Sequence, residues 1–449
     1  KVNYRTEILS GLTVAMALIP EAVAFALIAG LSPLTGLYAA FIMGIITAIF
    51  GGRPGMISGA TGAIAVVFFG LVTSLKQINP NITVDEITQY VFATVILAGI
   101  IQIIAGILKL GKFMRLVPQP VIFGFVNGLA IIIFLSQLSQ FTTDSTDPNA
   151  PWMSGQELYI FIGLVVTAMV IIWGLPKITK VIPAALTAIL AIFGIVYFFD
   201  ISTTTVGDIA SIQGGFPPFN LPSIPLSLET LELIFPYAAI VAGVGLIESL
   251  LTLNIIDEIT QTRGRGNKEA VAQGAANILS GLLSGMGGCA MIGQSLINIS
   301  SGARARLSGI VAAIMLLVFI MFGSSLIEKL PMAALTGLMI MVSIGTFEWA
   351  SFRTFNRMPK SDVIVMLAVT LITVLLHNLA LAVLLGVVIA ALVFSWDNAK
   401  RIRARKHIDK DGVKHYEIYG PLFFGSISVF NEKFDVQADP TDVIIDFAE

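Results

Sequence analysis

The chain has 449 residues, of which 56% are hydrophobic and only 12% are charged, and its mean hydropathy is +0.90. Soluble domains carry roughly 25% charged residues, so this composition excludes an ordinary soluble protein. The formal net charge of −2 gives no indication of nucleic-acid binding, and the one cysteine, Cys289, excludes an intrachain disulfide framework.

Long apolar stretches recur along the whole chain. Runs such as 91–108, 121–138 and 158–175 have the length and the near absence of charge of a bilayer-spanning helix. Hydropathy predicts fourteen membrane segments, at 7–28, 34–50, 61–76, 86–109, 115–137, 156–174, 181–198, 229–252, 268–283, 291–301, 304–323, 330–348, 360–376 and 378–397. The third and the tenth are too short to cross ~30 Å of hydrocarbon as helices alone.

Basic residues are distributed unequally between alternate loops. If Lys1 is cytoplasmic, the outside loops hold only Lys76 and Lys329. The inside loops hold Arg53, Lys109, Lys112, Arg115, Lys177, Lys180, Arg263, Arg265, Lys268, Arg304, Arg306, Arg353, Arg357 and Lys360. The positive-inside rule expects this asymmetry, so it favours the count of fourteen and predicts that both termini are cytoplasmic.

The composition changes after Asp397. The stretch NAKRIRARKHIDKDG (398–412) is basic and polar, and it predicts a linker over 401–413. The runs KHYEIYGPLFFGSISVF (414–430) and DVIIDFA (442–448) predict strands, because apolar β-formers are bounded by Gly, Pro and Asp. They indicate the start of a small α/β domain over 414–449, in a chain expected to be part of a longer one; a frayed tail is the alternative.

Two glycine-rich stretches interrupt the apolar sequence at matching places. GMISGATGAIAVV runs from Gly55 to Val67, and GMGGCAMIGQSLI runs from Gly285 to Ile297. Breaks in segments three and ten predict two repeats of seven segments, which are inverted because seven is odd. Irregular backbone at membrane depth is tolerated only where protein or a water-filled cavity satisfies its polar groups. Paired breaks of this kind are therefore typical of a transporter binding site.

Each break also leaves a helix N-terminus, whose free N–H groups carry about half a positive charge. Two such ends, facing each other from opposite sides of the bilayer, form an anion site that requires no basic side chain. The alternative is that the glycines only allow close helix packing. Packing alone does not explain why the breaks recur at matched positions.

Several motifs carry a resemblance to a known family. PEAVAFALIAGLSPLTGLYAA (20–40), FGGRPGMISGATG (50–62) and GQSLINISSGARARLSG (293–309) resemble the sulfate permease (SulP) inorganic-anion transporters, bacterial relatives of the animal solute-carrier-26 proteins. YEIYGPLFFGSISVF (416–430) resembles the start of their STAS domain. The resemblance implies an all-α polytopic fold of seven-plus-seven inverted repeats, with short strands preceding half-helices three and ten.

The same resemblance implies a domain organisation. A transport domain over 1–400 would comprise a moving core, 7–109 and 229–323, and a gate, 115–198 and 330–397. A truncated STAS domain would follow the linker. Such proteins usually dimerise through the gate and STAS domains, so a homodimer in the bacterial inner membrane, surrounded by lipid, is expected.

The resemblance places an anion pocket between the starts of segments three and ten, roofed by segment one. The implied substrate-binding residues are Phe25, Thr61, Gly62, Ala63, Met291, Ile292, Gly293, Gln294 and Ser295. Many animal members carry an arginine where this chain has Gln294. Without that fixed positive charge, something else must help to offset the charge of the anion.

Two carboxylates, Glu248 and Glu21, lie deep within the predicted membrane segments, away from the segment ends. Glu248 is midway through segment eight, where a carboxylate costs roughly 2.5–3.5 kcal/mol on insertion scales, so it is a candidate functional residue. In related transporters this position is acidic and is linked to coupling. With Thr252 one turn later on the same face, it could bind sodium, or it could take up a proton. The alternative is a structural glutamate bonded to backbone N–H groups.

Glu21, which follows Pro20, either faces the same cavity as an accessory residue or bonds backbone left unpaired by the proline. A negative charge beside an anion is unfavourable, so a neutral, hydrogen-bonded or peripheral Glu21 is expected. None of the histidines has metal-ligand spacing, and nucleotide-binding loops and Ser-His-Asp patterns are absent from the sequence. We therefore expect no enzymatic activity and no cofactor besides a coupling ion, sodium or a proton.

The leading hypothesis is a secondary transporter of a small inorganic or carboxylate anion, coupled to sodium or protons. Bicarbonate and sulfate are the favoured substrates, and dicarboxylates come after them. A nucleobase–cation symporter of related fold usually carries a second acidic residue in segment ten, which AMIGQSLIN lacks. An uncoupled exchanger or channel, and a membrane motor or sensor that binds an anion without moving it, are further alternatives.

Overall fold

The helices begin and end close to the segments that hydropathy predicts, except that the helix of segment eight, predicted to end at 252, continues to Thr260. The structure is a computed structural model, and it describes residues 3–110, 118–143, 150–178, 184–209, 214–225, 227–354, 358–376, 385–386, 388–393, 402–409, 412–420, 426–435 and 438–447. The first half contains α1 (Tyr4–Ile28), α2 (Pro33–Phe50), β1 (Ser58–Gly59), α3 (Gly62–Ile78), α4 (Val84–Ile107), α5 (Gln119–Ser136), a 3₁₀ helix (Gln137–Phe141), α6 (Gln156–Ile178), α7 (Ala184–Phe198) and α8 (Val206–Ile209).

The second half repeats the same pattern of elements. It contains α9 (Leu228–Thr260), α10 (Gly266–Leu282), β2 (Cys289–Ala290), α11 (Ile292–Ser300), α12 (Leu307–Phe322), α13 (Ser324–Glu328), α14 (Met332–Thr346), α15 (Trp349–Thr354) and α16 (Lys360–Leu376). Each of the first thirteen predicted segments corresponds to one of these helices; segments three, eight and ten are α3, α9 and α11. The fourteenth, 378–397, lies largely outside the described residues.

Several described helices are long and apolar enough to cross a bilayer. They are α1, α2, α4, α5 with its 3₁₀ extension, α6 and α9. Four other apolar helices, α3, α7, α12 and α14, are shorter. With nine residues, α11 is only about 14 Å long and cannot cross ~30 Å of hydrocarbon. The chain is thus a predominantly helical membrane protein, and the count of fourteen spans stays a prediction.

The two halves interlock through closely packed helices and through side chains at helix ends. Gly99 of α4 and Gly274 of α10 pack so closely that an added Cβ at either would lie 2.5 Å from the other's carbonyl oxygen. Small residues permit such an approach between membrane helices. Arg53, in the loop after α2, pairs with Asp257 of α9 at 3.2 Å and donates to the carbonyl oxygen of Ile256. A cation near the end of α9 also complements the helix dipole.

The two glycine-rich breaks are paired through a two-residue antiparallel ladder. Ser58 of β1 lies opposite Ala290 of β2, and Gly59 lies opposite Cys289. Each strand is followed almost directly by its short helix, α3 or α11. Short strands therefore precede both of these helices, as the resemblance implied.

The C-terminal region forms a separate small sheet of β3 (Arg403–Ile408), β4 (Lys414–Tyr419) and β5 (Val443–Phe447), in that order. β3 runs antiparallel to β4, and β4 runs parallel to β5. Strands were predicted correctly at β4 and β5. The linker prediction over 401–413 differs from the structure, because β3 lies inside it; its positions are almost all exposed, so no apolar alternation marks it.

A second difference concerns Ile427–Asn431, which is helical although its sequence predicted a strand. Parallel strands need a crossover connection, and this helix lies in the connection from β4 to β5. The prediction followed local β-forming residues and missed this requirement. The division into transport and STAS domains stays a prediction.

A polar contact at Asp439 ties β4 to the segment before β5. The carboxylate of Asp439 lies 2.5 Å from Lys414 Nζ and accepts a hydrogen bond of 2.7 Å from the Tyr416 hydroxyl. These two hydrogen bonds hold the pKa of Asp439 below its ordinary value of 3.8. Such a carboxylate stabilises the fold above its unfolded pKa, and the stabilisation is lost as pH falls through the lowered value.

We expect Asp439→Asn to loosen this sheet at neutral pH. Amide hydrogen exchange across β4 and β5 should be faster in the variant than in the wild type at pH 7, and the two should converge well below pH 3.8. Glu432→Gln, a change at an exposed acid of the same region, serves as the control. Equal exchange in Asp439→Asn and wild type at pH 7 would contradict this role.

Candidate functional site

The candidate site is built on the β1–β2 ladder. Beyond the paired residues, the backbone N–H of Met291 donates to the carbonyl oxygen of Ile57 at 2.8 Å. The Ser295 hydroxyl, in the first turns of α11, accepts from the Ile57 N–H at 2.9 Å. Because α3 and α11 each begin within three residues of their strand, both helices start beside the same ladder. The ladder therefore brings two helix N-termini into one region.

Neither of these N-termini has a side-chain cap. Thr61 and Met291 occupy the cap positions of α3 and α11, and neither side chain bonds the first turn. The Thr61 hydroxyl lies instead 3.2 Å from Cys289 Sγ. The first N–H groups of a helix have no intrahelical acceptor, so both ends present donors and partial positive charge. This is the chemistry of an anion site.

The α3 side of the site is tightly packed. A Cβ at Gly62 would lie 2.9 Å from the Ile133 side chain of α5 and 3.0 Å from the ring of Phe25. Ala63 is buried beside it. The structure thus brings Phe25 of α1 against the start of α3, as predicted, and adds Ile133, which sequence reasoning did not identify.

The α11 side is open. Gly293 is exposed, Ile292 is half-buried, and a Cβ added at Gly293 would meet no atom within 4 Å. Met291 and Gln294, on either side, are buried. The space in front of the first turn of α11 is therefore where a ligand has room.

Gln294 and Ser295 are already engaged in the structure. The Gln294 side-chain amide donates to the carboxylate of Glu21, which joins α11 to α1. Glu21 is thus hydrogen-bonded, one of the expected outcomes. The Ser295 hydroxyl is bonded to the backbone of Ile57, the residue before β1, so it ties α11 to the ladder; its role as a ligand stays a prediction.

The candidate coupling residues, Glu248 and Thr252, belong to α9, which packs against β2. The half-buried carboxylate of Glu248 accepts a hydrogen bond from Cys289 Sγ at 3.0 Å. The buried Thr252 hydroxyl donates to the backbone carbonyl of Glu248 at 2.7 Å, not to its carboxylate. Carboxylate, hydroxyl and carbonyl oxygens are ligands that hard cations accept. Three acidic, His or Cys groups do not cluster as a metal site anywhere in the described part of the chain.

Several residues that support the ladder were missed from the sequence. The side chain of Asn277 donates to the carbonyl of Gly288 at 3.1 Å and accepts from its N–H at 2.9 Å. Gln102 accepts from Asn277 at 2.8 Å, and the Ser249 hydroxyl accepts from the Ala290 N–H at 3.1 Å. Amide side chains inside apolar segments were the available signal.

No basic side chain forms an ion pair with Glu21 or Glu248 in the described part of the chain. Over the ranges that the structure describes, the ion pairs involve Arg53, His407, Lys414 and His415, and none includes Glu21 or Glu248. The positive character of the site therefore comes from helix ends.

Comparison with known proteins identifies relatives of this chain. The model of the sulfate permease family matches residues 4–369. The chain is 43% identical over 447 residues to the putative sulfate transporter YbaR of Bacillus subtilis, covering 100% of this chain and 88% of that protein. It is 31% identical over 480 residues to the bicarbonate transporter BicA of Picosynechococcus sp., covering 100% and 83%.

Solved structures show the same fold. The transmembrane domain of a cyanobacterial bicarbonate transporter BicA matches with a TM-score of 0.72 at 30% identity, covering 86% of this chain and 97% of that one. SLC26A9 matches with a TM-score of 0.80 at 17% identity, covering 98% and 79%, which shows the fold alone.

The open space at Gly293 generates a prediction. Gly293→Leu should fill the space before α11 and weaken binding of labelled sulfate or bicarbonate at least ~10-fold, equivalent to about 1.4 kcal/mol. The protein should remain folded, since nothing lies within 4 Å of the new Cβ. Gly163→Leu, at an exposed and equally open glycine of α6, is the matched control. Wild-type affinity in Gly293→Leu would remove this space from the site.

Proposed function

This chain belongs to the sulfate permease family, and we propose that it is a secondary active transporter of a small oxyanion, bicarbonate or sulfate. The observation that carries the proposal is the pair of uncapped helix N-termini at one buried ladder, with open space before α11. Backbone N–H groups bind an anion without a basic side chain. Gln294, where animal relatives often have arginine, is consistent with a site that relies on those groups.

Either oxyanion fits these donors. Backbone N–H groups bond carboxylate-like and sulfate oxygens alike, so the site geometry does not rank them. Relatives named as sulfate transporters and as bicarbonate transporters are both similar to the chain over its full length. We therefore propose the shared class, small oxyanions, as the substrate.

We further propose that transport is coupled to sodium or protons through Glu248. Its carboxylate lies near the ladder and has one recorded hydrogen bond, from Cys289. An ionised carboxylate near the site repels the anion, so a proton or a cation at Glu248 favours anion binding. The two ligands then strengthen each other's binding, as linkage requires.

The remaining architecture is proposed from the family. Fourteen segments in two inverted repeats would form a core that moves like an elevator against a gate, in a homodimer in the bacterial inner membrane with both termini cytoplasmic. In this division the start of α3, at Gly62, belongs to the core and Ile133, which packs against it, belongs to the gate, so a moving core would slide past this contact. The C-terminal sheet would begin a STAS domain.

Uptake into proteoliposomes tests the function. Labelled sulfate and bicarbonate are offered with and without an inward sodium or pH gradient, and labelled uracil is the competing substrate class. Accumulation of either anion above its external concentration under one gradient is the expected result. Uptake that only equilibrates would support an uncoupled exchanger or channel, and uracil uptake alone would favour the nucleobase symporter.

Glu248→Gln tests the coupling residue. The substitution removes the charge and keeps the shape, so anion exchange should persist while gradient-driven accumulation falls to the equilibrium level. Glu258→Gln, the same change at an exposed position of the same helix, is the control. Full wild-type accumulation by Glu248→Gln would show that coupling does not depend on this carboxylate.

A further inference from the structure

The Cys289 thiol joins the two proposed sites. Its Sγ lies 3.2 Å from Thr61 Oγ1, at the start of α3, and 3.0 Å from the carboxylate of Glu248, on α9. The side chain is fully buried, and it is the only cysteine of the chain. A thiol can both donate and accept, so it can transmit a hydrogen-bond direction from one neighbour to the other.

The ladder and α9 hold this thiol in place. Cys289 is fixed in register opposite Gly59, and the neighbouring Ala290 N–H is bonded to Ser249 of α9 at 3.1 Å. A Cβ at Gly245, one turn before Ser249, would lie 3.5 Å from Cys289 Cβ. The bridge between Thr61 and Glu248 is therefore a packed, directed contact.

We propose that Cys289 is a positioning residue that reverses a chain of hydrogen bonds when Glu248 is neutralised, and so sets the anion affinity at Thr61. The proposal rests on the proposed function above. When Glu248 is ionised, the carboxylate can only accept, so the thiol donates to it and the Thr61 hydroxyl donates to sulfur. Thr61 then presents lone pairs, which repel an anion at the start of α3.

Neutralisation of Glu248 reverses each donor in turn. A protonated Glu248 donates its O–H to the sulfur of Cys289. A sodium ion bound to the Glu248 carboxylate occupies the oxygens that accepted the S–H, so the thiol is released from that bond. The S–H then donates to Thr61 Oγ1, and the Thr61 hydrogen is free to point at the anion. No covalent bond changes: each hydroxyl or thiol rotates. Polar neighbours in such a chain strengthen one another.

Other ionisable groups do not compete for Glu248. The elements packed against α9 are α3, α4, α10, α11 and β2. Their charged and titratable side chains, in the described ranges, are Lys76, Asp85, Glu86, Tyr90, Lys268, Glu269 and Cys289. Of these side chains, Cys289 is the one that hydrogen-bonds to the Glu248 carboxylate.

The test measures a coupling factor, defined as the ratio of anion dissociation constants without and with the coupling cation. Full-length protein in lipid nanodiscs binds labelled sulfate and labelled bicarbonate, in sodium against choline and at two pH values in choline. Typical coupling factors are ~5–150-fold. In Cys289→Ala the wild-type factor should fall to within about twofold of one, whereas in Cys289→Ser, which still donates and accepts, it should be retained.

Two further variants separate a relay from a structural tie. Ser249→Ala removes the adjacent α9–β2 hydrogen bond but leaves the bridge, so it should keep the wild-type factor. Thr61→Val should lower the factor as Cys289→Ala does, and the double variant should lower it no further, because both changes break the same chain. Thermal unfolding followed by tryptophan fluorescence confirms that each variant is folded.

Three results would each overturn the relay alone. They are a wild-type coupling factor in Cys289→Ala, equal losses in Cys289→Ala and Cys289→Ser, and a loss in Ser249→Ala equal to that in Cys289→Ala. A wild-type factor of one for both cations would overturn the coupling and the relay together. A wild-type protein that binds neither anion would overturn the proposed function, and the relay with it.

Discussion

Backbone pairing between β1 and β2 is the interaction on which the candidate site depends. Two residues from each glycine-rich break pair their backbone N–H and carbonyl groups inside the protein, where water does not supply alternative hydrogen-bond partners. The pairing also fixes the starts of α3 and α11 at a common point. Beyond the ladder, the Asn277 side chain bonds both the N–H and the carbonyl oxygen of Gly288, so these backbone groups also have partners. The donors that remain free are those of the first helical turns, which are the ones an anion can use.

Four carboxylates among the packed helices fall into two groups by the bonds they make. Glu7 accepts three backbone N–H groups around the start of α12, and Glu269 accepts a backbone N–H and a side-chain amide. Glu21 and Glu248 each accept one side-chain hydrogen bond over the described ranges. A carboxylate whose oxygens are filled by backbone donors is committed to structure. One with unused acceptor capacity can change its partner, which a transport cycle requires.

Much of the helical fold and part of the candidate site could be predicted from the sequence, and the features that were missed have physical causes. Helix positions followed from hydropathy because a bilayer permits few alternatives, and Glu248 stood out because a charge is costly there. Cys289 was missed because a thiol is neutral and small, so nothing in a sequence distinguishes a bridging cysteine from a packing one. β3 was missed because its basic residues carry no alternation, and the open space at Gly293 depends on how α11 packs, which local sequence does not encode.

The length of α9 has a mechanical consequence. Its 33 residues span about 50 Å, against ~30 Å of hydrocarbon, and the internal Pro236 lies in its first third. Glu248 and Asp257 lie on this helix, separated by about 14 Å of rise. The stretch of α9 between these two residues contains no proline, so a rotation or tilt of the helix at Glu248 would also displace Asp257. The Arg53–Asp257 ion pair would pass that displacement to the loop after α2.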